Sequence, residues 1–269
     1  MSRREVYPNA PIVLVAVEVR HTQCEPLGRN QQSQMGAHFR EILPLQDKAT
    51  EKTIAYQVSP DGTQTRQETT TESPRWTSRD RRTALTMRSD AVVLETTDYG
   101  SYEKIRGILD IALRARADVD APAGVERLGL RYIDEIRVPR QDSEHPDWEQ
   151  WVDKSLLGPM HIGGELGLTP ESGEGIAVFS GDSDSTLVLR YAAQDGYAVL
   201  STTQLRRPLP PPGPFFKLDI DSFWQATAEV PEFVPALVLD RADALHNPVR
   251  SVFESLITER LREEVLRNG

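Results

Sequence analysis

Three aspartates in this chain have the chemistry to hold a divalent cation. Asp219 and Asp221 lie two apart in the alternating run from Phe215 to Asp221, so they share one strand face with Lys217. Asp134 lies in VERLGLRYIDEIRVP, Val125 to Pro139. There it falls on the apolar side with Leu128, Leu130, Tyr132, Ile136 and Val138. Asp134, Asp219 and Asp221 together make a candidate acidic cluster of the hard oxygen ligands that calcium and magnesium take. The plainer reading is a solvated strand face with a Lys–Asp pair, since such pairs are mostly structural and weak.

Arginines are the second candidate chemistry. Arg127, Arg131 and Arg137 align on the opposite side of the same strand, with Glu135. Arg81 and Arg82 belong to a basic stretch with Arg75, Arg79, Arg88 and Trp76. Guanidinium forks suit carboxylate or phosphate, and an indole can stack on a base or ring. The plainer reading is ion pairing within an acid-rich chain. A third interaction candidate is Leu205–Phe216, whose PLPPPGP run is a stiff polyproline segment. As a connector between strands it needs no partner.

Other motifs are missing. His21, His38, His145, His161 and His246 have no partner at metal-ligand spacing, and there is no HExxH. Gly163, Gly164 and Gly167 stand in no phosphate-binding pattern. The sequence assigns no catalytic residue, no metal and no cofactor.

The elements that must position these residues follow from pattern and turn chemistry. Ile12–His21 reads as a strand with valines on one face and apolar residues at the start of the other, as in a central or covered strand. Helical spacing over Arg29–Leu43 predicts a helix ended by Pro44. Two hairpins follow, Thr53–Ser59 with Thr63–Thr71 around Pro60-Asp61-Gly62, and Arg82–Arg88 with Ala91–Thr97. Ser101 can cap a helix over Tyr102–Ala117. Beyond Pro146, Trp148 to Leu157 suggests a short helix, and Gly158–Gly175 a mobile loop. Strands are expected at Ile176–Gly181, Ser185–Ala192, Tyr197–Thr203 and Phe215–Asp221. The turns among the first three fall at Asp182-Ser183-Asp184 and Gln194-Asp195-Gly196. Asn247-Pro248 reads as N-cap and N1 of a long C-terminal amphipathic helix striped with Val249, Val252, Phe253, Leu256, Ile257, Leu261 and Val265. Hairpin-connected strands followed by helices, twice over, predict an α+β fold of antiparallel sheet with packed helices. The chain is expected to form two lobes, 1–140 and 141–269, or one continuous domain.

The 269 residues can bury one large core or two modest ones. A formal charge of −10 disfavours non-specific nucleic-acid binding and attachment to anionic membranes. The apolar run near Val13 is too short to span a bilayer and alternates like a strand. Cys24 is the only cysteine, which excludes an intrachain disulfide and fits a bacterial-type cytoplasm.

Four segments carry a family resemblance: NAPIVLVAVEVR, ALTMRSDAVVLETTDY, RLGLRYIDEI and VFESLITERL. In them the chain resembles a sporadically distributed prokaryotic family of about this length and no assigned function. The sharpest element is Gly129–Tyr132, and Asp134 stands where that family usually has Asn. An ionised Asp only accepts hydrogen bonds where Asn also donates. The patchy distribution implies an accessory role, such as conflict or defence. Taken together, the residues point to a non-enzymatic binding or assembly protein acting with a protein partner or as a homo-oligomer. The alternatives are an enzyme on a phosphorylated or nucleic-acid substrate, using the arginines and the Asp cluster, and a small-molecule sensor closed by the 158–175 loop.

Overall fold

In a computed structural model, residues 6–58, 64–139, 146–160, 162, 166–168, 172–182 and 184–268 are described. The alternating segments become nine strands: β1 Ile12–His21, β2 Leu45–Val58, β3 Gln64–Thr77, β4 Thr83–Met87, β5 Ala91–Thr96, β6 Val125–Ile136, β7 Gly173–Ser180, β8 Ser185–Gly196 and β9 Gly213–Gln225. They form one antiparallel sheet in the order β2-β3-β4-β5-β1-β6-β9-β8-β7. The helices are α1 Arg29–Phe39, α2 Tyr102–Asp120 and α3 Pro235–Leu256. The fold is α+β.

Period-two alternation gives the central strands β1, β6 and β9 a helix-covered face and an opposite one. Val15, Val17 and Val19 of β1, Leu128 and Leu130 of β6, and Leu218 and Ile220 of β9 all enter the core. The stripe of α2 (Ile105, Leu109, Ala112, Leu113) and that of α3 (Val238, Leu239, Ala242, Leu245, Val249) close over them. Ser101 caps α2, its hydroxyl accepting from the Lys104 N–H at 3.3 Å. β1 is central, as its apolar start suggested, but its second face carries no helix; Glu18 is half-buried and Arg20 exposed. The sheet runs unbroken across residue 140, since β6 pairs with β9 from Arg127↔Gln225 to Ile136↔Phe216.

Several local expectations hold. The hairpins β2–β3 and β4–β5 are present. The first is longer than expected, and its turn at Pro60-Asp61-Gly62 lies outside the described residues, as do His145, His161, Gly163 and Gly164. The short helix near Trp148 is two 3₁₀ turns, Trp148–Gln150 and Lys154–Leu156.

Two expectations are corrected. Tyr197–Thr203 is not a strand. β8 continues through Gln194 and Asp195, pairing with β9 as far as Gly196↔Gly213. The chain then leaves the sheet at Gly196, whose φ of 93° suits glycine. Residues 197–212 form a strap across one end of the open face. Ala198 N–H donates to Glu135 on β6, Arg206 N–H to the Arg81 carbonyl, and the Gln204 amide to the Lys48 carbonyl on β2. The proline run is thus a connector, held in place by the strands it crosses.

Asn247-Pro248 is not a helix start, because α3 already begins at Pro235 and passes through Pro248. Val238 to Leu245 extend the apolar stripe upstream, and their burial carries the helix over a proline that removes one N–H. The helix ends at Ile257, which forms a β-bridge with Val152. Thr258 caps a further turn through Leu261, which runs on as a π turn over Arg262–Leu266. Among the described residues, no helix is long and apolar enough to cross a membrane.

Candidate functional site

Alternation along β6 sends Arg131 to the open face and Asp134 to the helix side. Asp134 lies opposite Leu218 on β9 and opposite Ile12 on β1, where a register shift between Ile12 and Leu14 marks a β-bulge. Bulges recur beside functional sites, where they re-aim side chains. Asp134 is 2% exposed, and its Oδ1 has no hydrogen-bond partner. Burial, with a smaller contribution from the charge of Asp219, pushes its carboxyl up to about 8. At neutral pH it is a neutral acid.

A cavity of about 180 Å³ opens beside it. The N-terminal end of α2 contributes Tyr102 and Glu103, the segment before it Tyr99, and the middle of α3 His246, Val249, Arg250 and Phe253. Tyr7 and Tyr132 complete an aromatic wall. The wall is tied together. Tyr132 Oη and His246 Nδ1 are 3.0 Å apart, and the Tyr102 ring stacks on His246 with centroids 3.8 Å apart. Tyr102 Oη donates to Asp243 Oδ1 at 2.8 Å, and Arg106 Nε donates to the same oxygen. Tyr99 meets Tyr132 edge-on at 5.9 Å. Tyr7 Oη donates to Glu254 Oε2 at 3.0 Å.

Electrostatics follow from this packing. Burial, then the neighbouring Glu103 carboxylate, raises the Tyr99 phenol to about 12. Tyr132 is raised well above its usual range by burial, and Tyr102 by burial and its bond to Asp243. The phenols therefore stay neutral at physiological pH. For Asp243 burial pulls upward, but the hydrogen bonds from Arg106 and Tyr102 outweigh it and keep the carboxyl low. An apolar cleft with one perturbed carboxyl is the arrangement expected of a ligand or proton-transfer site.

A wider cleft of about 790 Å³ lies by the other flank of α3, walled by Trp224, Val238, Arg241 and Leu245. Its Arg241 guanidinium already lies 3.5 Å from the centroid of the Trp224 ring. Arg241 Nη1, like Asp134 Oδ1, is buried without a hydrogen-bond partner, but its guanidinium is stacked on the indole, whereas the Asp134 carboxyl lies beside open cavity.

The sheet separates the proposed acidic cluster. Asp219 pairs across from Ile133 and lies on the open face with Asp221, whereas Asp134 lies on the helix face. Strand alternation makes this unavoidable in that register. Among the described residues, no group of three or more His, Cys, Asp or Glu side chains is placed to hold a metal ion.

The arginine strip is internally paired. Arg131 makes a two-pronged contact with Asp219, 2.7 Å on each arm, and this bond, ahead of the opposing desolvation, raises its already high basicity. Arg127 donates to Glu18 at 3.1 Å and lies over the Phe223 ring. Arg137 donates to Glu135 at 2.8 Å and to the Gly213 carbonyl. Arg81 faces Asp47 at 3.6 Å, and Arg82 bonds Asp98 at 3.1 Å. Trp76 is no surface stacker. It is 2% exposed and packs edge-on against Phe39 of α1.

Sequence reasoning missed two features. Tyr99 and Tyr102 flank the start of α2, but His246 comes from a distant helix, and no local spacing joins it to them. The pair Glu135–Arg207, with two bonds of 2.9 and 3.0 Å, was equally hidden. Burial would raise Glu135, yet Arg207, the Ala198 N–H and Arg137 hold it below the usual carboxylate range. The signal that was visible was Asp134 itself, the polar residue on the apolar side. No protein-family model, curated protein or solved structure matches this chain.

Proposed function

We propose that this chain is a binding protein whose ligand site is the cavity beside Asp134. The observation that carries the reading is the Asp134 carboxyl, fully buried, unpartnered at Oδ1 and facing that cavity. Leaving a buried polar group unpaired costs about 1–3 kcal/mol, so a native fold keeps such a group where something else meets it. Aromatic walls with a few placed polar groups are the usual composition of a small-molecule pocket.

Ligand-observed NMR with a set of benzene-sized fragments tests the reading. Fragments should bind and compete with one another. Asn247→Trp, at an exposed position in the wall, should abolish their binding while leaving the circular dichroism spectrum unchanged. Failure of every fragment, or hits indifferent to Asn247→Trp, would overturn it.

A second reading, assembly between chains, is favoured by one observation. β7 ends the sheet, and its Ile176, Val178 and Phe179 are exposed large apolar residues. The opposite edge strand, β2, carries Lys48, Glu51 and Lys52, the kind of charge that blunts an edge against pairing. Within β7, Glu174 alone is charged.

A further inference from the structure

We propose that the cavity beside Asp134 takes a small organic ammonium ion. This inference rests on the reading of that cavity as the ligand site and names its ligand class.

The inventory of the wall leads there. Tyr132, Tyr102 and Tyr7 already commit their hydroxyls to His246, Asp243 and Glu254. The buried polar atom left over is a carboxyl oxygen. A carboxyl has two ways to be satisfied. As a neutral acid it can donate to an acceptor; ionised, it can accept from a cation. The surroundings favour the second. Four tyrosines and Phe253 line the space, and aromatic rings attract ammonium groups through their quadrupole, more strongly when water is excluded. Glu103 and Glu254 add negative charge to the wall, and the chain as a whole carries −10. A net-negative surface raises the local concentration of cations.

Two groups oppose this choice. Arg250 and His246 of α3 also line the cavity. The His246 ring is stacked on Tyr102 and bonded to Tyr132. Arg250 has an interaction of its own and is the group that would favour an anion instead. From the sheet side, Asp219 is the charge that acts on Asp134. Size sets the last constraint. About 180 Å³ admits a body near that of benzene, since an engineered cavity of roughly 150 Å³ binds benzene.

The ligand must displace a proton. An empty site holds Asp134 as the neutral acid; a bound cation holds it as the carboxylate, and the proton goes to solvent. Affinity for a cation should therefore rise about tenfold per pH unit up to the carboxyl's own titration and level off above it.

Three probes with one tert-butyl body separate the possibilities: tert-butylammonium, tert-butanol and trimethylacetate. Alkyl amines titrate near 10.4, so the ammonium keeps its charge from about pH 6 to 9. Affinities would be measured by NMR titration at several pH values, on wild type and on Asp134→Asn. The expected result is tightest binding of tert-butylammonium. Its affinity should climb by at least about tenfold between pH 6 and 8. Asp134→Asn should weaken it and flatten its pH profile. Tightest binding of tert-butanol with affinity falling as pH rises, or of trimethylacetate, would overturn the ammonium assignment while leaving the cavity as the ligand site. Absence of binding by all three, together with failure of the fragment set, would remove both.

Discussion

Asp134 is a residue whose environment and chemistry disagree, and its titration makes the disagreement measurable. Its folded value, about 8, lies above the ordinary carboxyl value of 3.8. The native state therefore binds a proton more tightly than the unfolded chain does. The resulting stabilisation is full below the unfolded value and is lost as pH rises toward 8, flattening beyond it. The gap caps the effect at about 6 kcal/mol, at roughly 1.4 kcal/mol per unit. Asp134→Asn, which cannot ionise, should gain stability relative to wild type at pH 8 and gain little at pH 5. Urea unfolding midpoints at the two pH values read this directly; equal differences at both would contradict it. Alternation alone placed this Asp among Leu130, Tyr132 and Ile136, so its oddity was legible in the sequence. Its cavity was not. Tyr102 and His246 meet there only through packing of α2 and α3 on the sheet, a long-range event with no local pattern.

At the scale of elements, the strap 197–212 depends on one buried pair. Arg207 and Glu135 are nearly inaccessible, and each arm of the guanidinium meets a carboxylate oxygen. Breaking a buried pair from one side strands the other charge, which costs about 3 kcal/mol or more. Arg207→Met should destabilise by about that amount, softened by the remaining Arg137 and Ala198 bonds. It should also expose the strap to protease before the sheet unfolds. The double change with Glu135→Gln should recover part of the loss. The low value of Glu135 means that this pair acts above the ordinary carboxyl range and fades on acidification, so the Arg207→Met deficit should shrink toward pH 3. Limited proteolysis and urea unfolding across pH check each point. Elements fixed by local chemistry were readable: the β4–β5 turn through Ser89-Asp90 and the Ser101 cap of α2 both stand where the sequence placed them. Pro248 misled because proline is a start signal, yet the burial of Leu245 and Val249 on either side carried the helix through it. The strap misled because Tyr197–Thr203 looks like a strand until Glu135 and Arg207 are seen to hold it.

For the whole molecule, the two ends of the sheet differ in kind. The β2 end is charged, and the β7 end shows Ile176 and Val178 at 63% exposure each. Two β7 edges can meet antiparallel across a twofold axis at Ala177. That register sets Ile176 against Val178 of the partner subunit on one face and Phe179 against its Gly175 on the other. Sedimentation velocity should show concentration-dependent association of wild type, and Val178→Lys should suppress it without changing the circular dichroism spectrum. A wild type that stays monomeric across the accessible concentration range would dismiss the edge as an interface. The α+β class was legible from hairpin spacing, whereas the strand order was not. Nothing in VERLGLRYIDEIRVP announces which strands will flank it.

That strand order has a kinetic consequence. The hairpins β2–β3, β4–β5 and β7–β8 close locally, but β1 must find β6, Val17 meeting Leu130, and β6 must find β9, Leu130 meeting Ser222. Such high contact order places the chain among slow folders, because long loops must close before their contacts form. Synthesis from the N-terminus delivers β1 through β6 well before β9 and α3 exist. In that interval β6 presents a bare hydrogen-bonding edge and a face not yet covered by α3. A nascent chain of this fold is most exposed to misassembly in its middle, at a strand that is later buried along most of its length.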